Sequence, residues 1–289
     1  MAKTIDTNLV ADTLIESGEA IAPTKAVALK VFAKDFSDAT EAYANGKFKT
    51  AKIAFTDVEP TVQINPTEFG NDTDSNVSGV EVGINLLSAP ITANWNDPVS
   101  IKQYVTAGLQ ALVKQMTLTA TSLFTTTAFG SGKQVSVDIA GVQNDSEAAQ
   151  VLKNLYKSTK EGINKYLIGD SDLYSLALPS NLQGFNPSVN GGFGFDGIYE
   201  NNIWGAGSTV KGIVTDGRAV AMVARLPEWS GMVAEGLNSE VIYIPSLDLS
   251  VQFNKWVDLN GRIDKASLDI AFGAALLDKS ATKVVLQSA

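Results

Sequence analysis

The strongest pattern along the chain is an alternation of hydrophobic and polar residues between positions 47 and 95. One alternating run covers residues 53–64, and a second covers residues 80–95. A period of two is typical of β-strands. In each run the apolar face changes sides once, near Asp57 and near Leu86, as happens at a bulge or a sharp twist. The pattern therefore predicts two strands, each with one irregularity.

Antiparallel pairing of these runs about residue 72 places the two changes of face opposite each other. Five apolar pairs then form: Ile53 with Ile91, Phe55 with Ala89, Val58 with Leu86, Val62 with Val82, and Ile64 with Val80. A register shifted by one pair would also keep the apolar residues on the same face. This register predicts a long hairpin with a polar tip from Asn65 to Gly79. An isolated two-stranded hairpin is marginally stable, so we expect it to lie on another surface.

The hairpin is predicted to be strongly acidic. No Lys or Arg occurs between Lys52 and Lys102, whereas seven acidic residues do: Asp57, Glu59, Glu68, Asp72, Asp74, Glu81 and Asp97. These charges are either solvated, as in any acidic loop, or offset by a basic surface on this chain or on another.

A long helix is predicted over residues 97–124. Asp97 is a suitable N-cap, and Pro98 suits the first helical position. One apolar stripe follows the helical period: Ile101, Val105, Leu109, Leu112, Met116 and Leu123. A second helix is predicted over residues 146–163, with three lysines mainly on its polar face.

The remaining elements are shorter. Residues 1–46 contain two weak helical stretches that are too short to be stable alone, so they pack either on their own domain or on another subunit. Residues 181–207 are predicted to be loop. Strands are predicted at 165–169, 210–224, 247–253, 268–274 and 283–286, the last three in one sheet.

Composition narrows the class of protein. The chain has 289 residues, of which 45% are hydrophobic and only 18% charged, compared with about 25% charged in typical proteins. A low charge suits either a surface covered by neighbouring subunits or a surface rich in Thr and Asn. The net charge of −9 argues against tight nucleic-acid binding as the main role.

The chain has no Cys and no His. Disulfides, thiolate or imidazole metal ligands, and triads with a His base are therefore excluded. No apolar run approaches the ~20 residues that span a bilayer, and residues 1–10 lack a signal-peptide core. We expect a protein made and used in the cytoplasm.

Several partial motifs lack an essential residue or context. Residues 192–197 spell G-x-G-x-x-G without the flanking strand and helix, and residues 130–134 lack a P-loop's first Gly and its Ser or Thr. Residues 72–83 lack the Gly and the final Glu of a calcium loop, although loose cation binding there stays open. The carboxylates of Glu228 and Glu235 have no spacing that distinguishes them from other acidic residues. We therefore expect no enzyme activity and no cofactor.

The order of arm, long hairpin, long helix, mixed central region and returning strands resembles the major capsid proteins of tailed bacteriophages. This α+β fold also occurs in encapsulins. The segments 197–202, 216–221 and 258–266 have a similar sequence character. The resemblance implies five parts: an N-terminal arm (1–46), an extended loop (47–96), a spine helix with peripheral domain (97–144), an axial domain (145–240), and closing strands of the peripheral domain (241–289).

This resemblance implies a subunit that self-assembles as pentamers and hexamers into an icosahedral shell enclosing double-stranded phage DNA, without sequence-specific binding. The implied location is the virion capsid, after assembly in the host cytoplasm. Because the hairpin begins about 47 residues in, no long N-terminal scaffolding segment is expected, and a separate scaffolding protein and a portal are implied as partners. The loop has no lysine, so lysine cross-linking through it is not expected.

The implied contacts between subunits join the acidic loop to a basic surface. The expected acidic residues are Asp57, Glu59, Glu68, Asp72, Asp74 and Glu81. The expected basic partners are Lys102, Lys114, Lys255, Arg262 and Lys265. Three alternatives stay open: an encapsulin-type compartment for protein cargo, a surface-layer or adhesin protein, and a carboxylate-based hydrolase.

Overall fold

The computed structural model describes residues 6–21, 25–42, 50–56, 77–92, 97–159, 164–178, 194–204, 208–228, 238–258, 263–279 and 282–288. Five α-helices lie in these ranges: α1 (Thr7–Ala20), α2 (Val27–Val31), α3 (Pro98–Thr121), α4 (Asp145–Ser158) and α5 (Ser171–Ser175). The strands are β1 (Ala33–Ala42), β2 (Ala51–Thr56), β3 (Val77–Val82), β4 (Asn85–Ile91), β5 (Gln134–Val137), β6 (Tyr166–Gly169), β7 (Gly197–Glu200), β8 (Val210–Thr215), β9 (Val220–Glu228), β10 (Asn238–Ile244), β11 (Leu249–Asp258), β12 (Ile263–Leu276) and β13 (Lys283–Gln287).

The long helix α3 confirms the helix predicted over residues 97–124. Asp97 is its N-cap and accepts a hydrogen bond from the backbone N–H of Val99 at 3.0 Å, and Pro98 opens the first turn. The predicted apolar stripe is buried from Ile101 to Met116. The cap and the helical period of apolar residues thus predicted this element from its own sequence.

The main sheet has the strand order β1-β9-β12-β11-β10, and a sixth strand, β4, also pairs with β12. Alternate residues of β12 point to opposite faces. Leu268, Ile270 and Phe272 belong to the core that includes the buried residues of α3. Ala271 instead belongs to a small cluster on the opposite face, together with Val82 of β3. The sheet therefore separates the long helix from the base of the β2–β3 hairpin.

A second sheet has the order β5-β13-β8-β6-β7. Its own core contains Leu152 and Leu155 from α4, together with Phe195. The prediction that residues 283–286 join the sheet of 247–253 and 268–274 was wrong, because β13 pairs with β5 and β8. A short apolar strand can be buried in either sheet. Its sequence pattern therefore does not determine which strands it pairs with. The loop predicted over 181–207 also contains β7.

The predicted register of the hairpin was wrong. β2 does pair antiparallel with β3, but Ile53 lies opposite Val80, and Gly79 pairs with Ala54 instead of lying in the tip. Ile91 and Ala89 bond instead to β12, opposite Ala266 and Leu268. Val58, Val62 and Ile64 lie outside the described residues, but their predicted partners pair elsewhere: Leu86 with Ala271, Val82 with Ala51 and Val80 with Ile53. The alternation predicted the buried face of β4, where Ala89 and Ile91 are buried. This second half of the pattern pairs with β12 and not with β2.

A close backbone approach holds the hairpin base on the main sheet. A side chain at Gly273 of β12 would place its Cβ 2.3 Å from the backbone oxygen of Gly83 and 2.9 Å from Cγ1 of Val82. Real Cβ atoms do not come this close to a backbone oxygen, so β12 and the residues after β3 touch only because position 273 has no side chain.

The first part of the chain folds onto its own subunit in the described residues. Ser17 of α1 and Thr106 of α3 share a hydrogen bond of 2.7 Å between their hydroxyl oxygens. β1 runs parallel to β9, with Ala33 opposite Ala221. The sequence did not predict β1, because its residues 33–42 are largely polar and the register shifts within the strand.

Three phenylalanines join the end of α3 to this first part. The ring centroid of Phe124 lies 5.6 Å from that of Phe32 and 5.4 Å from that of Phe129, and both pairs are stacked. All three side chains are buried. Stacked aromatic pairs add to the free energy gained from burial alone, so this trio ties α2, α3 and the segment after α3 into one core.

Candidate assembly surfaces

Most of the predicted acidic contacts lie outside the described residues: Asp57, Glu59, Glu68, Asp72 and Asp74. The sixth, Glu81, is exposed on β3, opposite Lys52 in the strand pairing. These six contacts stay predictions.

The predicted basic contacts do not form one patch. Lys102 lies on α3, where its Nζ is 3.5 Å from Oε2 of Glu16 in the same chain. Lys114 lies on the same helix about 18 Å further along the axis and roughly 120° around it. Lys255 and Lys265 lie at one end of the β11–β12 pair, but on opposite faces of the sheet, because Lys265 pairs with Trp256 and Lys255 with Ala266. Arg262 lies outside the described residues.

A cleft of about 510 Å³ lies beside α3. Three residues on one face of the helix form one wall, and the end of β7 with the residues after it forms another. The lining residues are Lys25, Lys114, Thr117, Leu118, Glu200, Asn201, Asn202 and Ile203. Lys114 was predicted as a contact residue, whereas Lys25 and Asn201 were not. They are distant in sequence, so no local pattern brings them to the same cleft.

Hydrogen bonds fix the walls of this cleft. The hydroxyl of Thr117 donates to the backbone oxygen of Lys25 at 2.8 Å, and Lys25 Nζ donates to Oε1 of Gln110 at 2.9 Å. On the other wall, one oxygen of Glu200 accepts from the Ser171 hydroxyl at 2.5 Å and from Nδ2 of Asn202 at 3.2 Å. Both walls are therefore preorganised.

Two polar residues of the cleft differ in exposure. The side chain of Lys114 is exposed and, in the described part of the chain, makes no ion pair or hydrogen bond. Asn201 is only 8% exposed, and its backbone N–H donates to the oxygen of Gly169 at 2.7 Å.

A buried polar cluster lies on the face of the main sheet opposite α3. Asp269 is 1% exposed, and its Oδ2 accepts hydrogen bonds from Asn254 at 2.5 Å and from Ser267 at 2.8 Å. In the described residues its Oδ1 has no partner. Burial raises the pKa of Asp269, and hydrogen bonds from Ser88, Ser267 and Asn254 oppose this rise.

We expect this carboxyl group to make folding stability depend on pH. Because the folded-state pKa lies above the ordinary value of 3.8, its contribution is fully present below that value and is lost as pH rises through the folded-state pKa. Relative to Asp269→Asn, the wild-type free energy of unfolding should fall with pH in this window, by at most about 1.4 kcal/mol per pH unit. Urea unfolding of both proteins across the acidic range measures the difference. Parallel pH profiles would contradict a raised pKa.

Other candidate chemistry is sparse within the described ranges. These ranges contain no group of three or more acidic, His or Cys side chains placed to hold a metal ion. Among their helices, none has both the length and the apolarity needed to cross a membrane. Glu228 is exposed at the end of β9, and Glu235 lies outside the described residues.

Comparison of the whole structure with solved structures identifies relatives by fold. A virus-like particle from Pyrococcus furiosus aligns with a TM-score of 0.56 and 13% identity, over 96% of this chain and 98% of that one. The capsid of a native GTA particle aligns with a TM-score of 0.56 and 11% identity, over 93% and 98% of the two chains. The chain has a capsid-protein fold. No protein-family model and no curated protein sequence matches it.

The predicted fold class, the α+β fold of tailed-phage major capsid proteins, is confirmed by these alignments. Each alignment covers nearly all of both chains, so the capsid fold accounts for the arm, the hairpin, the long helix and both sheets together. The boundaries assigned to the arm, loop, peripheral and axial parts stay predictions. The expectation that the chain is not an enzyme stays a prediction.

Proposed function

We propose that the chain is the major subunit of an icosahedral shell that assembles from pentamers and hexamers and encloses double-stranded DNA of a tailed phage. The observation that carries the proposal is the near-complete alignment with subunits of a virus-like particle and of a capsid. A fold alone does not specify a function, but a match that spans almost the whole chain leaves little sequence for an unrelated site.

Surface properties support assembly. Several large hydrophobic side chains are exposed, among them Val99 and Tyr104 on α3 and Val241 and Tyr243 on the edge strand β10. Head-to-tail contacts between such surfaces produce closed rings when the rotation between subunits closes. The net charge of −9 suits a shell from which DNA is later released, because a lining with few clustered cations binds phosphate weakly.

Contacts through the acidic loop belong to this proposal. The loop would lie across a neighbouring subunit and meet its lysines on α3 and near the ends of β11 and β12. A single exposed ion pair contributes about 0–1 kcal/mol, so such pairs set the register of neighbours more than the strength of one contact. A separate scaffolding protein, a portal, assembly in the host cytoplasm and a final location in the virion complete the proposal.

Expression followed by negative-stain electron microscopy tests this function. The chain is produced alone and together with its candidate scaffolding protein. We expect closed shells, tubes, or rings of five and six subunits in at least one of the two samples. A monodisperse monomer in both samples would contradict the proposal.

The contents of the particles distinguish the two kinds of shell. Particles isolated from the natural host, where the portal is also made, are expected to carry nuclease-resistant double-stranded DNA, and gel electrophoresis after protease treatment measures it. Particles filled with a single protein and free of DNA would instead support the encapsulin-type compartment.

A further inference from the structure

We propose that the buried polar cluster of the main sheet is a binding site for one small, singly charged cation of the sodium or potassium class, held by oxygen atoms of Asp269 and Gln252. The cluster consists of these two residues with Ser88, Asn254 and Ser267. It lies on the face of the sheet that carries the hairpin base, and the proposal does not depend on assembly of the chain into a shell.

The strand pairing brings the members of this cluster together. Gln252 of β11 lies directly opposite Asp269 of β12, and Ser88 of β4 lies opposite the same residue. Asn254 and Ser267 form a second cross-strand pair, two residues further along each strand. Opposite residues on one face of a sheet have Cβ atoms about 4.5–5.5 Å apart. A ligand bound among these side chains therefore holds β4, β11 and β12 to one another.

Two oxygen atoms of the cluster are buried without a hydrogen-bond donor among the described residues: Oδ1 of Asp269 and Oε1 of Gln252. An ionised carboxylate and an amide oxygen only accept hydrogen bonds, so these two atoms cannot satisfy each other. The second oxygen of Asp269, Oδ2, already accepts from Asn254 and Ser267. The two unpaired oxygens thus mark the position of a donor or a cation.

The buried charge of Asp269 favours a cation over a neutral donor. The side chain is 1% exposed, and only burial and three neutral hydrogen-bonding groups act on the pKa of its carboxyl group. The described residues therefore supply no counter-ion. Buried charges in proteins are paired or coordinate metal ions. A water molecule satisfies such hydrogen bonds, but it leaves the charge uncompensated.

The ligand atoms select the kind of cation. All of them are oxygen atoms, which hard cations prefer. The cluster carries one formal negative charge, so a singly charged ion leaves it neutral. Ca²⁺ or Mg²⁺ would leave an excess positive charge in a buried site, which is costly.

The cation competes with a proton for the carboxylate of Asp269. A proton also removes the buried charge, and burial raises the pKa of this group. The fall of the wild-type free energy of unfolding with pH should therefore be smaller in sodium chloride than in choline chloride, because bound sodium keeps the ionised form stable.

Urea unfolding of the unassembled chain in a mildly alkaline buffer, where protons compete least, tests the site. Choline chloride is replaced by sodium or potassium chloride at constant ionic strength. At least one of the two ions should raise the ratio of folded to unfolded chain in a saturable way, by about elevenfold at roughly ten times its dissociation constant.

Three variants separate the site from general salt effects. Asp269→Asn should fold and lose the cation dependence, because its amide N–H group can donate where the cation lies. Gln252→Met keeps the carboxylate but removes one ligand, so affinity should fall by at least about fivefold. Glu240→Gln is the matched control: it removes a partly exposed carboxylate from β10 of the same sheet and should retain the full dependence.

Sodium NMR gives a readout that does not depend on stability. If sodium is the ion that stabilises the chain, the wild type should broaden the sodium signal, and Asp269→Asn should not. Equal responses of the wild type and Asp269→Asn to sodium and to potassium would overturn the proposal, since Asp269 then holds a proton or a water molecule. Stabilisation by calcium or magnesium alone would overturn the singly charged ion, and full affinity of Gln252→Met would overturn Gln252 as a ligand.

Discussion

Replacing Phe124 with alanine is expected to lower the free energy of unfolding of the unassembled subunit by about 3–5 kcal/mol. The side chain is 1% exposed and stacks on both Phe32 and Phe129. Its removal leaves a cavity beside rings from other segments of the chain. The surrounding side chains move only partly into such a cavity, so most of the lost contacts are not replaced. Urea unfolding followed by circular dichroism measures the change.

Tyr104→Ala is the matched control for this experiment. It removes an aromatic side chain from α3, the helix that ends just before Phe124, but at a position that is 48% exposed. We expect a change below about 1 kcal/mol for this variant. A similar loss for both variants would mean that helix composition, and not the aromatic trio, determines the stability of this region.

Gly273→Ala is expected to lower the free energy of unfolding by about 1–3 kcal/mol and to loosen the hairpin base. The new Cβ would lie 2.3 Å from the backbone oxygen of Gly83, so β12 and the residues after β3 must separate. Hydrogen exchange of the β3 amides should therefore accelerate more than that of the α3 amides. Both measurements use the unassembled subunit.

Gly83→Ala tests the same contact from its other side. A Cβ at this position meets no atom within 4 Å, and the residue has no positive φ. We expect unchanged or slightly higher stability, because alanine restricts the unfolded chain. If Gly83→Ala destabilises as much as Gly273→Ala, the close backbone approach is not the cause.

Local signals predicted the long helix well. Asp97, Pro98 and the apolar stripe are neighbours in sequence, and each acts within a few turns of the helix. The buried face of β4 was also predicted, because alternation is a local property. The fold resemblance followed from the order of these elements.

Choices between distant partners were not predictable in the same way. The second half of the alternating pattern pairs with β12, and β13 joins the second sheet. The alternation of apolar and polar residues fits several partner strands equally well, so only the three-dimensional packing determines which strand is paired. Among the residues of the cleft, Lys114 was predicted from its charge. Lys25 and Asn201 could be assigned to the cleft only from the folded structure, which brings them close to Lys114.

The strand pairing also has a consequence for the order in which the chain acquires structure during synthesis. Ala33 pairs with Ala221, Ala89 with Leu268, and Val135 with Val285, so these pairs are separated by about 150 to 190 residues. Neither of the two larger sheets is complete until β12 and β13 have left the ribosome. Contacts this distant slow folding, and a nascent chain therefore lacks the finished surfaces that another copy would recognise. Under the proposed function, only subunits whose translation is complete would therefore be able to join a shell.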